Sequence, residues 1–498
     1  MSTASMSTES PLADPQQIQG NILRPFGGRH QAFVFLSFRH RRGAARSWLA
    51  AAASRVDGTE DVAAARTGAA IQSGRSLMNV GLTAAGLVVL HAEAAGDLAG
   101  FDAFWRGPLG DRLDDSGRLT SAPALLGDVG AGDPSAWLIG GPGRPPVDAL
   151  LTLAADDAET LRQRVEQERR AAADAGLEVM PLVAADGTRM PEQTGQVLLG
   201  PDKQRIEHFG FADGISQPGV RGFTAGRGPR AGSAVIAAGE FILGCPGERR
   251  PQTWAPRPTP APWMRGGSFQ VFRRLRQDVA GWWERMGRLA GPQGSAEQAA
   301  ARALGRRHDG RPLAPGADPE RLNDFTFDGD EGGVHTPLYA HIRKMNPRHD
   351  EVFRDRGHKM LRRGIPFGPP FDRDEPDDRE RGLIFNAYLA SIEDQFEHVQ
   401  RRWANDPGFP ASTLGKFGRG PGSGVDGLDP VLGDDAETAR GRLGEQVVAA
   451  IPPAAFGGFV TTTGAVYAFA PSLPALRLLA GDQPLDAPAG SARVGPAR

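Results

Sequence analysis

QAFVFLSF, residues 31–38, is followed closely by SWLAAAASRV, residues 47–56, and the pair points to the fold class. The first run is rich in aromatic and β-branched residues and predicts a buried strand, whereas the second predicts a helix. The same succession recurs at ALLTLAA, residues 149–155, before the amphipathic run 159–176 that ends at Gly176. Alternating strands and helices predict an α+β protein.

The second half of the chain repeats this rhythm, and it predicts a second, related strand-rich module. We predict a strand at GEFILG and a strand running into a helix at FQVFRRLRQDVAGWWERM. A second strand and helix are predicted at RGLIFNAYLA and SIEDQFEHVQRRWAND. The last predicted strand, GAVYAFAP, precedes the helix LPALRLLA. Two Pro/Gly-rich stretches, 251–267 and 305–325, are too long for simple turns, so we interpret them as loops around a site rather than as linkers.

Composition restricts the possible partners and cofactors. The 498 residues are 40% hydrophobic and 23% charged with a net charge of -2, which fits a globular protein and gives no reason to expect nucleic acid as a partner. The single cysteine, Cys245, allows neither an internal disulfide nor a thiolate metal site. We see no run of about 20 apolar residues and no signal or twin-arginine leader at the start, so we expect no membrane association and a cytoplasmic location.

Three short stretches contain the candidate chemistry. EHFGFADGISQPGV, residues 207–220, holds Asp213 next to Gly214, which suits either a functional acid or an ordinary Asp-Gly turn. His341, in YAHIRKMNPR, is structural in most proteins, but beside several basic residues it could ligate the metal of a cofactor that carries carboxylates. Arg362 and Arg363, in KMLRRGIPFGPPF, could hold an anion or polarise a peroxide oxygen.

The motifs GFADG, HIRKMNPR and LRRGIPFG, in that order, resemble those of the dye-decolorizing haem peroxidases, and the resemblance extends over nearly the whole chain from IQGNIL to FVTTTGAVYAFAPS. It implies two ferredoxin-like modules of the dimeric α+β barrel type, with antiparallel sheets and peripheral helices. We accordingly predict an N-terminal segment 1–17, a module 18–225 that ends in the distal Asp loop, a haem-binding module 226–482 and a tail 483–498.

The resemblance also implies a set of site residues. His341 matches the proximal ligand of the haem iron, Asp213 the distal acid and Arg362 the distal arginine, with Arg363 as the adjacent possibility. Further haem contacts are expected from Gly214, Ile215, Arg343 and Phe367, and Glu393 or Glu397 could support His341 through its other ring nitrogen. The chain departs from the family pattern CP-x-G-A-H in having TPLYA before His341, so Tyr339 could narrow the proximal side.

The function implied is a peroxidase with haem b that reduces hydrogen peroxide and oxidises small or bulky organic donors, such as dyes and phenolics, in one-electron steps. Asp213 would transfer a proton and Arg362 would stabilise developing negative charge, and because a carboxyl group titrates at about pH 3.9 we expect an acidic optimum. Alternatives are a haem-processing, deferrochelatase-like enzyme or a non-enzymatic haem-binding protein. The sequence selects neither monomer nor homo-oligomer, and no surface radical site among Tyr339, Trp282 and Trp283.

Overall fold

The computed structural model describes residues 14–485 except 69, 115, 185, 224–230, 251–255, 319, 349–354 and 417–424. Ten strands within these residues form one antiparallel sheet. In chain order they are β1 His30–Ser37, β2 Ser76–Leu82, β3 Ala149–Ala155, β4 Glu178–Met180, β5 Gln193–Gln196, β6 Ser268–Gln277, β7 Leu361–Arg362, β8 Ile365–Phe367, β9 Gly382–Leu389 and β10 Val460–Ala470.

The sheet consists of two half-sheets, one from each half of the chain. The strand order is β5-β1-β3-β2-β10-β6-β9-β7, with β4 paired to β1 and β8 paired to β9. The halves join where β2 meets β10 through the single register pair Leu82 and Phe469. The longest strand pairings lie within the half-sheets: β1 pairs with β3 in the first, and β6 pairs with β9 and β10 in the second.

The two free ends of the sheet approach each other and nearly close it into a barrel. A Cβ atom on Gly195 of β5 would lie 2.5 Å from Cγ2 of Ile365 in β8, although these strands share no ladder. The enclosed face carries an aromatic core in which Phe33 and Phe35 of β1 each lie 5.2 Å from Phe272 of β6. The opposite face packs against helices and forms the largest hydrophobic cluster.

The longer helices flank this sheet. They are α1 Arg42–Ala53, α2 Ala158–Asp174, α3 Val279–Ala290, α4 Ala296–Leu304, α5 Ala436–Leu443 and α6 Leu473–Ala480. Shorter helices span Gly20–Leu23, Thr59–Ala65, Ala84–Leu90, Ala94–Leu98, Asp102–Arg106, Ala122–Leu126, His341–Met345, Ala411–Lys416 and Glu445–Ala450. No helix of the described residues is both long and apolar enough to cross a membrane.

The α+β prediction is confirmed, but one local prediction is wrong. GEFILG is not a strand, because Ala238–Glu240 forms a 3-10 turn whose buried Glu240 pairs with Arg257 at 2.7 Å. The predicted helix after β9 is present, and its residues Ile392–Glu397 and Val399–Ala404 are π-helical. The domain limits stay a prediction.

Candidate active site

A cavity of about 1360 Å³ lies between the two halves of the chain. Its wall contains Asp213, His341 and Arg362, which are far apart in sequence. The loop 305–325 contributes Arg306, Asp309, Leu322, Asp324 and Phe325, as expected for a loop around a site, whereas the described part of 251–267 does not line the cavity.

His341 begins a short helix and is held by a buried acid. Its Nδ1 lies 2.9 Å from Oδ2 of Asp429, whose side chain is fully buried. The other oxygen of Asp429 accepts the backbone N–H groups of Val431 and Leu432 at 2.8 and 3.0 Å. Burial alone would raise the pKa of Asp429, but His341 and these N–H groups hold it below its usual value. The ionised carboxylate keeps the proton on Nδ1, so Nε2 of His341 is the nitrogen with a lone pair for a metal.

The carboxylate behind His341 is therefore Asp429, and the expectation of Glu393 or Glu397 is wrong. Glu397 forms an ion pair with Arg112 at 3.0 Å and accepts the hydroxyl of Tyr467 at 3.1 Å. Glu393 accepts the backbone N–H of Ala103. Both acids connect the π-helical segment to the N-terminal half and do not reach the histidine.

Lys344, three residues after His341, anchors the same short helix. Its ammonium donates to the carbonyl groups of Trp403, Asp406 and Phe409 at 3.0, 2.8 and 2.8 Å. Burial lowers the pKa of Lys344 to about 8. These three bonds fix the helix against the end of the π-helical segment, which leaves the imidazole little freedom to move.

Asp213 lies on a loop that is organised by a second acid, Glu207. The Glu207 carboxylate accepts the N–H groups of Phe209 and Phe211 at 2.9 and 3.1 Å. The N–H of Asp213 donates to the carbonyl of Arg205 at 3.0 Å. Gly214 follows with φ +71°, and a Cβ there would meet nothing within 4 Å, so the loop presents backbone to the open cavity.

Arg362 is positioned from the residues that follow Asp213. The amide of Gln217 accepts its backbone N–H at 3.2 Å and donates to its carbonyl at 3.3 Å, and its guanidinium donates to the carbonyl of Ser216. Burial lowers the pKa of Arg362, while the charge of Asp213 opposes this shift. The acid and the arginine therefore interact electrostatically in the cavity.

Arg363 also lines the cavity but is bonded to the N-terminal segment. Its guanidinium donates to the carbonyl groups of Asn21, Ile22 and Arg362 at 2.7, 2.6 and 2.8 Å. These bonds fix it against the N-terminal segment, so the geometry favours Arg362 as the arginine that acts beside Asp213.

The other expected contacts divide into two groups. Gly214 and Ile215 line the cavity, whereas Arg343 and Phe367 do not. The guanidinium of Arg343 is buried, donates to the carbonyl of Thr336 at 2.8 Å and lies 4.6 Å from the ring of Phe327. Phe367 belongs to the barrel core. That Arg343 and Phe367 contact a cofactor stays a prediction.

Arg348, one of the basic residues that follow His341, lines the cavity, and so does Arg306, which the sequence did not indicate. Arg306 donates to the carbonyl groups of Gly310 and Leu322 at 2.7 and 2.6 Å, and burial together with Arg362 lowers its pKa to about 10. Arg348 donates to the carbonyl of Asn323 at 2.9 Å. Arg348 ends the stretch HIRKMNPR, so the sequence contained a signal for it, whereas Arg306 lies in a Gly/Pro-rich loop without a recognisable pattern.

The residues singled out as possible radical sites lie off the cavity wall. Trp282 is buried and stacks on Phe209 at 4.6 Å, and Trp283 belongs to the same hydrophobic cluster. Tyr339 packs against a separate cluster near the C-terminal helices and does not narrow the cavity.

Comparison with known proteins identifies the family. The family model described as Dyp-type peroxidase, C-terminal, matches residues 247–425. The multifunctional dye peroxidase DyP2 of Amycolatopsis sp. is 33% identical over 370 residues, which cover 67% of this chain and 71% of that protein. The chain belongs to the dye-decolorizing peroxidase family.

Further relatives extend this likeness over the whole dye-decolorizing fold. Peroxidase 2 of Mycetinis scorodonius is 28% identical over 507 residues, 96% of this chain and 89% of that protein. The crystal structure of the Auricularia auricula-judae enzyme complexed with imidazole is 25% identical, covers 94% of this chain and 100% of that chain, and superposes with a TM-score of 0.72. The ferredoxin-like α+β prediction and the prediction of a peroxidase are thereby confirmed.

Dye-decolorizing peroxidases imply a haem cofactor, and the cavity suits one. Among the described residues, no group of three or more His, Cys, Asp and Glu side chains could hold a metal ion. Nε2 of His341 could ligate the iron of such a group, and Arg306 and Arg348 could pair with its carboxylates. Ile342 and Phe385 contribute apolar side chains to the cavity wall.

Proposed function

We propose that this peroxidase binds haem b through Nε2 of His341 and reduces hydrogen peroxide with Asp213 and Arg362 as its catalytic residues. The observation that carries the proposal is the shared cavity: a histidine held by a buried carboxylate and an interacting acid–arginine pair line one space. Haem, when bound, would supply the iron that peroxide oxidises and that organic donors then reduce in one-electron steps.

Asp213 is the proton-transfer group. Peroxide must lose a proton from one oxygen and regain it on the oxygen that leaves as water, so one group must serve as base and then as acid. A carboxylate on a loop whose backbone faces the open cavity can do both without a large movement. The bonds of Glu207 to the N–H groups of Phe209 and Phe211 keep this loop in place.

Arg362 stabilises negative charge as the O–O bond breaks. Its backbone is fixed by Gln217 and its guanidinium by the carbonyl of Ser216, so the charge is oriented before peroxide arrives. A preorganised cation of this kind contributes most where water is scarce.

The Asp429–His341 pair would hold the iron of the cofactor. The carboxylate fixes the tautomer of the ring and makes Nε2 a stronger electron donor. Two successive one-electron donors would then restore the resting enzyme. A phenol is a suitable donor, and a dye-decolorizing peroxidase of the same fold has been solved as a complex with 2,6-dimethoxyphenol.

Stopped-flow absorbance of the haem-loaded protein mixed with one equivalent of hydrogen peroxide tests the proposal. For Asp213→Asn we expect an unchanged resting Soret band and a peroxide rate constant lower by about 10²–10⁴-fold. Arg362→Leu should also slow the reaction. The matched control is Asp309→Asn, because Asp309 also lines the cavity but forms its ion pair with Arg311 at 2.5 Å.

Equal rates for wild type and Asp213→Asn would show that Asp213 is only a turn residue. A wild type that releases iron from haem without consuming peroxide would favour the haem-processing alternative. His341→Ala should abolish or strongly alter the Soret band, and a normal band in that variant would contradict the ligand assignment.

A further inference from the structure

Four of the arginines that line the cavity are Arg66, Arg205, Arg362 and Arg363. Burial is the main reason why the pKa values of Arg363 and Arg66 are lowered. The positive charges of Arg362 and Arg66 lower the pKa of Arg363 further. Those of Arg24 and Arg205 do the same for Arg66. Each arginine thus lies within the electrostatic range of another. We call Arg24, Arg66 and Arg205 the rim arginines.

Among the residues that the structure describes, no carboxylate forms an ion pair with any of the rim arginines. Arg66 donates to the carbonyl groups of Pro25 and Gly68, at 2.6 and 2.9 Å. The Nε atoms of Arg24 and Arg66 are buried and have no hydrogen-bond partner within the described part of the chain. Unpaired buried donors and mutual repulsion both cost free energy that a bound anion would recover.

The rim adjoins the distal loop and offers apolar surface beside its charge. Arg66 and Arg205 line the cavity, and the carbonyl of Arg205 accepts the N–H of Asp213. Phe26 and Leu198 also line the cavity. An anionic group bound by the guanidinium groups would therefore leave an attached aromatic ring against apolar side chains, next to the reacting site.

We propose that the rim arginines bind the carboxylate or sulfonate group of an aromatic electron donor, so that the enzyme selects anionic donors over neutral donors with the same ring. This inference rests on the proposed peroxidase function. Each phenolic donor gives one electron and its phenolic proton, and two donors reduce one hydrogen peroxide to two water molecules. The anionic group of the donor is unchanged in the reaction.

The test uses two phenols that differ by one carboxylate: 2,6-dimethoxyphenol and 4-hydroxy-3,5-dimethoxybenzoate. We compare the ratio of kcat/KM for the benzoate to that for the phenol in wild type and in the double variant Arg66→Gln/Arg205→Gln. The ratio should fall by about tenfold, because hydrogen bonds to charged groups are lost for one donor only. Added salt should lower the ratio in wild type more than in the variant.

The control is Arg288→Gln, because Arg288 is an exposed arginine of α3 that pairs with Glu284. Its ratio should equal that of wild type. The proposal would be overturned if the double variant kept the wild-type ratio or lost kcat/KM equally for both donors. A lower haem content of the double variant, measured by Soret absorbance, would also overturn it, because the rim arginines would then bind the cofactor.

Calorimetric titration of 4-hydroxy-3,5-dimethoxybenzoate into the haem-loaded protein without peroxide separates this inference from the proposed function. Binding that is weakened about tenfold in the double variant supports the rim site even if neither donor is turned over. Equal binding by wild type and double variant overturns the rim site even if both donors are oxidised.

Discussion

At the scale of single residues, the active site depends on a histidine whose partner acid lies 88 positions away in the chain. Asp429→Asn keeps an oxygen that can accept from Nδ1 of His341 but removes its charge. We expect haem to remain bound, the iron to become easier to reduce and the peroxide reaction to slow by about 10- to 100-fold. Spectroelectrochemical titration and stopped-flow absorbance measure both effects.

Glu397→Gln is the matched control for Asp429→Asn, because it also neutralises a buried acid of the C-terminal half. Its partners are Arg112 and Tyr467, so the midpoint potential should not change even if the protein is less stable. A potential that shifts in Glu397→Gln but not in Asp429→Asn would contradict the assignment of Asp429.

The sequence allowed some of these residues to be predicted and not others, for a physical reason. Asp213, His341 and Arg362 lie in motifs with distinctive neighbours, and the structure brings all three to one cavity. Asp429 lies in an ordinary loop, where only the folded chain shows that it meets His341. Arg343 follows its histidine closely, but the turn of the helix directs it to Thr336 and away from the cavity.

At the scale of elements, the distal loop 207–214 depends on the protonation of Glu207. Burial raises the pKa of Glu207 to about 7 from its ordinary 4.5, Asp213 adds to the rise, and the N–H groups of Phe209 and Phe211 oppose it. The folded protein therefore binds this proton more tightly than the unfolded chain does. The contribution of Glu207 to the free energy of unfolding should therefore fall as pH rises from about 4.5 to about 7.

Glu207→Gln cannot ionise, so it should remove this part of the pH dependence. Glu207 is partly exposed to the cavity, so solvent weakens the effect of its protonation on stability. Between about pH 5.5 and 7.5, we expect the free energy of unfolding of wild type to fall by about 1 kcal/mol more than that of the variant. Urea unfolding at the two pH values measures the difference, with the exposed Glu284→Gln as control. Parallel pH profiles for wild type and Glu207→Gln would contradict it.

Element prediction succeeded where one periodicity dominates. β3 coincides with ALLTLAA, and α6 coincides with LPALRLLA, because a continuous apolar run and an amphipathic run are each unambiguous. GEFILG also looks like a strand, but its Glu240 is buried in an ion pair with Arg257, and the chain turns there. Such a tertiary contact leaves no periodic trace in the sequence.

At the scale of the whole molecule, the two half-sheets meet at two seams, and at each seam a glycine leaves no room for a Cβ atom. At the hydrogen-bonded seam, a Cβ on Gly81 would clash with the side chain of Gln270. At the open seam, a Cβ on Gly195 would lie 2.5 Å from Cγ2 of Ile365 and 2.9 Å from the carbonyl oxygen of Pro366. The sequence predicts two strand-rich halves but contains no signal for the order in which their strands meet.

Gly195→Val tests whether this close approach stabilises the molecule as a whole. The added side chain must separate β5 from β8, and overpacking of this kind costs about 1–3 kcal/mol in the free energy of unfolding. Because β8 lies directly after Arg362, the separation should also slow the peroxide reaction. Urea unfolding and stopped-flow absorbance measure the two effects together.

Gly43→Val is the matched control, since Gly43 is exposed in α1 and a Cβ there meets nothing within 4 Å. Equal stability of the two variants would mean that the ends of the sheet can part freely, and the cavity would then depend on the β2–β10 seam alone.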